Sequence, residues 1–162
     1  MLIDRHYDRI YQTAWRFAGT TAMAEDVAQD VVVKLARAIR GFRGDAAFTT
    51  WVYRIIYTTA IDHLRVAQRT DTRSPSNIVT LMDARPDLGG EQKTPEDVLQ
   101  NEDLWCCVRN LSPKQRDAVL LVYAEELSHA QAAEIMGCSE KTVSWHLFEA
   151  KKRLKVELEA EE

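Results

Sequence analysis

The sequence has few of the residues that build metal centres or disulfide frameworks. Its 162 residues include three cysteines in no CxxC arrangement, Cys106, Cys107 and Cys138. The histidines are scattered along the chain: His6, His63, His129 and His146. Zinc sites need ligands at short, repeated spacings, and disulfide frameworks need an even number of cysteines. We therefore expect no metal, no cofactor, and cysteines that stay reduced and pack inside helices.

Long apolar runs and catalytic motifs are also missing. No run approaches the roughly 20 apolar residues of a membrane span, and the N-terminal MLIDRHYDRIY lacks the apolar core of a signal peptide. We expect no membrane insertion and a cytoplasmic protein. The sequence has no phosphate-binding loop, no nucleophile beside a base and no convincing pair of carboxylates, so it predicts no enzymatic activity.

The charge balance excludes a general polyanion binder. The chain carries a formal net charge of −4, with 46% hydrophobic and 28% charged residues, which is ordinary for a globular protein. Basic residues outnumber acidic ones in residues 1–70, whereas residues 71–103 and the C-terminal EAEE are acidic. Any contact with nucleic acid must therefore be local, or be assisted by a partner.

The stretch FRGDAAFTTWVYRIIYTTAIDHLRVAQR, residues 42–69, mixes aromatic residues and arginines on a helical period. One predicted face points to a core: Phe48, Val52, Ile55, Thr59, Ile61 and Leu64. A second face carries Trp51, Arg54, Thr58, Asp62 and Arg65. Aromatic planes stack on unpaired bases while guanidinium groups follow phosphates, so this face fits a single-strand-binding surface. On spacing alone, a solvated helix with half-buried Trp51 and Tyr57 is the commoner explanation.

Two helices are predicted before this stretch. The first runs from about Asp4 to Ala18, and the second follows an N-cap at Thr20 or Thr21 and runs to about Arg40. One face of the second helix carries polar residues around an apolar one: Asp26, Gln29, Asp30, Val33 and Arg37. This pattern fits a helix docking surface, although a solvated face is the commoner origin of such a strip.

The composition changes beyond residue 69. DTRSPSNIVTLMDARPDLGGEQK contains two prolines, adjacent glycines and many acids without a helical period, which predicts a flexible linker between two small helical domains. The next helix should start with Thr94 as N-cap and Pro95 at its first position. Its inward residues should be Val98, Leu104, Trp105, Val108 and Leu111. Ser112 and Gln115 predict a capping box for a further helix, which ends near Glu125.

The strongest local pattern is LSHAQAAEIMGCSEKTVSWHLFEAKKRL, which predicts a helix-turn-helix. Ser128 with Gln131 caps a short helix, Gly137 supplies the turn, and Ser139 caps a longer helix. The longer helix should place Val143, Leu147, Ala150 and Leu154 inward, and Glu140, Lys141, Ser144, Trp145, Phe148 and Lys152 outward. A coincidental pair of packed helices is the alternative.

The order AEDVAQDVVVKL, FRGDAAFTTWVYRI, AIDHLR, a linker, LSPKQRDAVLL and the helix-turn-helix resembles the bacterial extracytoplasmic-function sigma factors over nearly all of the chain. Such proteins bind core RNA polymerase, open the minus-ten promoter element with their second domain and read the minus-thirty-five element with their fourth. The resemblance implies an all-α alternative sigma factor with a region-two domain at 1–70, a flexible linker at 71–93 and a region-four domain at 94–162. Its implied partners are core RNA polymerase, promoter DNA and an anti-sigma protein.

The resemblance also implies roles for individual residues. Contact with core polymerase falls to Asp26, Gln29, Asp30, Val33 and Lys34. Opening of the minus-ten element falls to Phe42, Arg43, Phe48, Trp51, Arg54, Thr58, Arg65 and Arg69. Reading of the minus-thirty-five element falls to Ser139, Lys141, Thr142, Ser144, Trp145, His146 and Lys152.

The sequence departs from the family pattern in a few places. Val32 stands where phenylalanine is usual and Thr58 where asparagine is usual. The reading helix carries Trp145, Phe148 and Glu149 where small or basic residues are common, so we expect a weak affinity for DNA. Two other functions use the same residues. A helix-turn-helix transcription regulator would need dimer symmetry, and a sigma-mimicking adaptor would bind an anti-sigma protein without touching DNA.

Overall fold

The computed structural model describes residues 2–71, 104 and 106–160. These residues are helical and contain no strand, and they belong to two compact units, one within residues 1–86 and one within residues 87–162. The all-α fold with two small helical domains is therefore confirmed. The predicted linker apart from its first residue, Asp71, lies outside the described residues, as do the N-cap at Thr94, Pro95, Val98 and Trp105, so the domain limits remain predictions.

The described part of unit 1, residues 2–71, contains three helices. Helix α1 spans Leu2–Ala18, α2 spans Thr21–Ala38 and continues as a 3-10 turn at Ile39–Gly41, and α3 spans Phe48–Asp71. Each of the three packs against the other two. The N-cap at Thr20 is confirmed, because its hydroxyl accepts a hydrogen bond from the Met23 amide at 3.3 Å. The sequence therefore marks the start of α2 correctly.

The core of unit 1 lies where the three helices meet. Its buried residues include Ile10, Ala14, Phe17, Val27, Val31, Leu35, Tyr53, Ile56, Tyr57 and Ala60. Phe17 and Tyr57 contact edge to face, with their ring centroids 5.5 Å apart, which is a favourable aromatic geometry. Tyr57 is therefore a core residue, fully buried instead of half-buried.

The predicted core face of α3 is largely wrong. Thr59 is buried as expected, whereas Phe48, Val52, Ile55, Ile61 and Leu64 are only half-buried. The buried face is formed by Tyr53, Ile56, Tyr57 and Ala60, with Thr50 and Thr59. Apolar residues surround the first half of this helix, so its periodicity does not select one face. Contact with α1 and α2 together decides which side chains are buried.

The described part of unit 2 comprises helical residues 104 and 106–110, followed by α4 at Pro113–Val119 and a π-helical turn at Leu120–Ala124. Val108 and Leu111 are buried as expected, but Leu104 is exposed. The capping box at Ser112 is not formed, because the Ser112 side chain makes no cap hydrogen bond. Pro113 at the first helical position and the bond from the Arg116 amide to the Ser112 carbonyl, 2.9 Å, start α4 without that side chain.

The helix-turn-helix is present as predicted. Helix α5 spans His129–Met136 and α6 spans Glu140–Ala160. Ser128 and Gln131 form a complete capping box, and Gly137 turns the chain with a φ of 69°, a left-handed conformation that favours glycine. Ser139 Oγ accepts a hydrogen bond from the Thr142 amide at 3.1 Å. Ala133 and the inner residues Val143, Leu147 and Ala150 are buried, while Leu154 is half-buried.

Candidate nucleic-acid and protein interfaces

The first candidate surface lies on α2. We define the α2 strip as the five residues that the resemblance assigns to core polymerase, all of them exposed: Asp26, Gln29, Asp30, Val33 and Lys34. Arg37, which the spacing placed on the same face, is exposed as well. Two residues of the strip are bonded to α3. Asp30 Oδ2 lies 2.7 Å from His63 Nε2, and Lys34 Nζ donates to Thr59 Oγ1 at 3.0 Å. These contacts fix an anionic and a cationic side chain of the strip against a neighbouring helix, so their positions are set before any partner arrives.

A shallow cleft of about 550 Å³ runs beside this strip. Its lining residues come from α2, the residue before it, and the second half of α3: Thr20, Ala22, Met23, Asp26, Asp30, Lys34, Asp62, His63, Val66 and Ala67. The sequence did not identify Thr59 and His63 as hydrogen-bond partners of the α2 strip. These residues are four apart, one helical turn, and that spacing indicates that both face the same neighbouring helix.

The second candidate surface starts with an aromatic cluster that we define as Phe42, Phe48 and Trp51. Every pair of these rings is in contact, with centroid distances of 5.5 Å for Phe42 and Phe48, 5.0 Å for Phe42 and Trp51, and 5.8 Å for Phe48 and Trp51. All three side chains are half-buried. Gly44 has a φ of 77°, which allows the loop between α2 and α3 to turn so that Phe42 contacts the first turn of α3. Arg43 is exposed beside the cluster.

The outer stripe of α3 continues from the aromatic cluster. Its remaining predicted residues are exposed: Arg54, Thr58, Arg65 and Arg69. The Thr58 hydroxyl donates to the Arg54 carbonyl at 2.9 Å, so it bonds its own helix. Asparagine, the usual residue of the family at this position, has a longer side chain whose amide both donates and accepts hydrogen bonds. Threonine is shorter and its hydroxyl donates within the helix, so it can make fewer contacts with a partner. The arginines therefore supply most of the polar chemistry of the stripe.

The third candidate surface is the outer face of α6. Lys141, Ser144 and Lys152 are exposed, and Trp145 and Phe148 are the most exposed aromatic side chains here, at 57% and 65%. Both lie outside the core of unit 2, as the helical period predicts, although the Trp145 ring contacts that of the adjacent His146 at a centroid distance of 5.1 Å.

Three hydroxyls on this face already have partners within unit 2. Ser139 Oγ and Thr142 Oγ1 lie 2.8 Å apart in the cap, and Ser144 Oγ lies 3.0 Å from His129 Nδ1. Thr142 and His146 are half-buried. The lysines and aromatic rings therefore reach farther from α6 than the hydroxyls do.

Comparison with known proteins now assigns the family. The Sigma-70 region 2 family matches residues 2–70, and the Sigma-70, region 4 family matches residues 101–154. The RNA polymerase sigma-H factor of Pseudomonas aeruginosa is 32% identical over 162 residues, 95% of this chain and 82% of that protein. This chain belongs to the extracytoplasmic-function sigma factors. The sigma-E factor of Escherichia coli is also 32% identical, over 95% of this sigma factor and 83% of its own length.

Solved structures show the same fold. The sigma factor RpoE in complex with the anti-sigma factor NepR, from Bartonella quintana, has a TM-score of 0.78 over 99% of this chain and 96% of its own, at 21% identity. CnrH, solved with the cytosolic domain of CnrY, has a TM-score of 0.68 over 99% and 87% of the two chains, at 22% identity. At these identities the likeness concerns the fold alone.

The family membership settles the general function. This alternative sigma factor binds core RNA polymerase and directs promoter-specific transcription initiation. The region 2 match accounts for unit 1, and the region 4 match accounts for the helix-turn-helix. A helix-turn-helix regulator would account for the second match and leave unit 1 unexplained. Among the described residues, no helix is long and apolar enough for a membrane span, and no three His, Cys, Asp or Glu residues converge as metal ligands.

Proposed function

We propose that the sigma factor divides its work among the three surfaces described above. The single observation that carries this proposal is that α2 and α3 present the strip and the stripe as exposed faces of one three-helix unit, while α6 presents its own exposed face in unit 2. Polymerase contact and strand opening then belong to unit 1, and reading of the upstream element to unit 2. The protein acts in the cytoplasm as an initiation factor and catalyses no reaction itself.

Core polymerase docks on the α2 strip. Its residues are Asp26, Gln29, Asp30, Val33 and Lys34. Val33 is 46% exposed between charged neighbours, which gives a small apolar anchor with a polar rim, the usual composition of a protein interface. The bonds of Asp30 to His63 and of Lys34 to Thr59 reduce the side-chain entropy lost on docking.

The melted minus-ten strand lies on the aromatic cluster and the α3 stripe. The proposed contacts are Phe42, Arg43, Phe48, Trp51, Arg54, Thr58, Arg65 and Arg69. The rings of the cluster support one another, so Trp51 is held in place and offers a firm plane for an unpaired base. Exposed arginines along the same helix follow the phosphates.

The minus-thirty-five element is read by α6. The proposed residues are Ser139, Lys141, Thr142, Ser144, Trp145, His146 and Lys152. Helix-turn-helix proteins place the second helix in the major groove with its N-terminal residues near the bases. Lys141 lies in the first turn and Lys152 three turns later, so the two lysines suit contacts at the base edges and at the backbone respectively. The aromatic side chains between them offer apolar contacts to thymine methyl groups.

An anti-sigma protein covers Trp145 and Phe148 in the inactive state. Two aromatic side chains this exposed, about one turn apart, fit an apolar groove on a protein partner better than they fit water. Among proteins of this fold, the sigma factor RpoE was solved in complex with the anti-sigma factor NepR, and CnrH was solved with the cytosolic domain of CnrY. Inhibition and promoter binding then exclude each other, because both need the same face of α6.

Reconstitution with core polymerase on a promoter library tests the function directly. We expect specific transcripts from the holoenzyme, and no tight specific binding to the same promoters by the free protein in an electrophoretic assay. Holoenzyme without specific transcripts, together with tight binding to an anti-sigma protein, would establish the sigma-mimicking adaptor instead. Exposure of Trp145 and Phe148 is the observation that favours this second candidate.

For the anti-sigma assignment, the variants Trp145→Ser and Phe148→Ser are compared with Tyr123→Ser. Tyr123 is also exposed, at 50%, but it lies outside α6. We expect each α6 variant to weaken anti-sigma binding by about tenfold or more, as hot-spot aromatic residues do, and Tyr123→Ser to leave it unchanged. Unchanged anti-sigma affinity in the folded α6 variants contradicts the assignment.

A further inference from the structure

An apolar cavity of about 300 Å³ opens in unit 1 between α1, the end of α2 and the start of α3. Its walls are mainly aliphatic and aromatic, with Leu35, Ile39, Phe48, Val52 and Ile56 contributing the largest apolar side chains. The cavity shares no residue with the α2 strip. Protein interiors leave few voids larger than a water molecule, whereas about 300 Å³ is the lower end of the size of small-molecule sites.

Arg9 is the charged side chain at this cavity. Arg9 and His6, both exposed on α1, are among the lining residues, and the described residues that line the cavity include no acid. Arg9 Nε donates to the Tyr53 hydroxyl at 3.0 Å, and the guanidinium carbon lies 5.7 Å from the centre of the Tyr53 ring. Tyr53 is buried. A cation is therefore positioned by a core residue at the wall of a hydrocarbon-lined space.

We propose that this cavity binds a medium-chain fatty acid, with its carboxylate at Arg9 and its chain among the aliphatic walls. The hydrocarbon chain of the ligand covers the apolar walls of the cavity and removes them from water. Its carboxylate accepts charge-assisted hydrogen bonds from the guanidinium. Electrostatic complementarity selects an anionic head over a neutral or cationic one, because the Arg9 guanidinium has no opposing acid among the described residues that line the cavity.

Phe48 links the cavity to the surface that opens DNA. It lines the cavity and also packs on Phe42 and Trp51, at 5.5 and 5.8 Å. A bound fatty-acid chain contacts Phe48 and so changes the relative energies of the conformations that the aromatic cluster can adopt. By linkage, ligand binding and strand opening then affect each other to the same extent. This coupling rests on the proposed function of the cluster, whereas the binding site itself does not.

Calorimetric titration of the full chain with decanoate, well below its micelle concentration, tests the site. We expect saturable binding at one site, and decanol and decylamine binding at least about tenfold more weakly, because they lack the charge-assisted bond. Arg9→Gln should weaken decanoate binding by about tenfold for the same reason. Arg5→Gln, an exposed arginine on the same helix but outside the cavity, should not change it.

A second variant pair tests the space itself. Ala36 lines the cavity from α2, so Ala36→Phe should abolish binding, whereas Ala22→Phe, exposed on the same helix outside the cavity, should retain it. Absent saturable binding, equal binding of decanol, or unchanged binding in Arg9→Gln overturns the proposal. If Ala36→Phe fails to fold, the ligand series and the arginine pair still decide.

Holoenzyme assays separate this site from the proposed function of unit 1. With saturating decanoate we expect the equilibrium fraction of open duplex promoter to change at least about twofold, with no change on a pre-melted template. An unchanged open fraction with confirmed binding overturns the coupling. If Trp51→Ala leaves promoter opening intact while decanoate binds with the expected selectivity, the proposed function of the cluster fails and the binding site stands.

Discussion

Units 1 and 2 present their candidate surfaces in different ways. In unit 1, Asp30 and Lys34 are bonded to α3, and the aromatic cluster is packed ring against ring. In unit 2, Trp145 and Phe148 extend from α6 with more than half of their surface exposed. In unit 1 the fold itself orders the candidate surface. In unit 2 the aromatic side chains of the candidate surface are exposed to solvent.

This difference has an energetic consequence. Ordered side chains lose little entropy on binding, so unit 1 can use charged residues that gain only modest free energy from each contact. Exposed aromatic rings gain free energy when any complementary apolar surface covers them, which suits unit 2 to exchange between DNA and a protein partner. Substitutions in unit 1 should therefore affect defined steps of initiation, and substitutions on α6 should affect the choice of partner.

The largest effect is expected for Asp30→Arg. It reverses a charge in the α2 strip and removes the contact with His63, so we expect core polymerase affinity to fall about ten- to hundredfold. Quantitative pull-down or fluorescence titration measures it. Thermal stability should change little, because the contact between Asp30 and His63 lies at the surface, where such a side-chain contact contributes about 1 kcal/mol or less.

Glu25→Arg is the matched control for this charge reversal, since Glu25 is an exposed acid of α2 outside the strip. It should bind polymerase as the unmodified protein does. If Asp30→Arg binds core polymerase as tightly as Glu25→Arg at equal stability, α2 is a solvated face and the ordered surface of unit 1 has another use.

Trp51→Ala is expected to have the next largest effect, on promoter opening. Loss of a base-stacking plane costs about 1–3 kcal/mol, a reduction in opening of roughly five- to 150-fold. Closed-complex formation should stay intact, and a pre-melted template should restore activity. Trp51→Phe, which keeps a ring in the cluster, should recover part of the loss. A variant that loses thermal stability and fails on both templates shows that Trp51 supports the fold and not the strand.

A smaller effect is expected for His63→Gln. Glutamine can still donate to Asp30 but lacks the rigid ring of histidine, so core polymerase affinity should fall about two- to fivefold, in line with one weakened hydrogen bond. His6→Gln, an exposed histidine of α1, serves as the control in the same titration. Should both variants bind alike, ordering of Asp30 by α3 contributes nothing to docking.

The sequence predicts local structure best where a backbone conformation demands particular residues. Gly137 with its left-handed φ and the Ser128 capping box are examples, and the helix-turn-helix follows from them. It fails where a choice depends on tertiary contacts. The register of α3 is ambiguous because apolar residues lie on several sides, and Ser112 has capping chemistry that the structure does not use.

The candidate sites show the same limit. Exposure of the α2 strip, of the α3 stripe and of the α6 lysines was predictable, because polar spacing marks the faces that avoid the core, whereas Thr142 and His146 of α6 are half-buried. The partners of Asp30 and Lys34 were not, since they depend on how α2 and α3 cross. The cavity beside Arg9 was not predictable either, because a void arises from three helices meeting and leaves no periodic pattern in any one of them.

The smallest effect is expected for promoter recognition by Trp145, and thymine methyl groups provide the measurement. Aromatic edges contact these methyls but cannot make the bidentate hydrogen bonds that discriminate bases strongly. Replacing thymine by uracil in the minus-thirty-five element removes one methyl at a time. Because a buried methyl contributes about 0.8 kcal/mol, holoenzyme affinity should fall about two- to fourfold at a contacted position.

The same replacement in Trp145→Ser should have no further effect, because the ring that contacts the methyl is gone. Lys141→Ala is the comparison: it should lower affinity for every sequence while leaving the difference between thymine and uracil intact. A double-mutant cycle over protein and DNA isolates the contact. Equal sensitivity to uracil with and without Trp145 means that this ring does not touch thymine, which leaves its exposed surface to a protein partner alone.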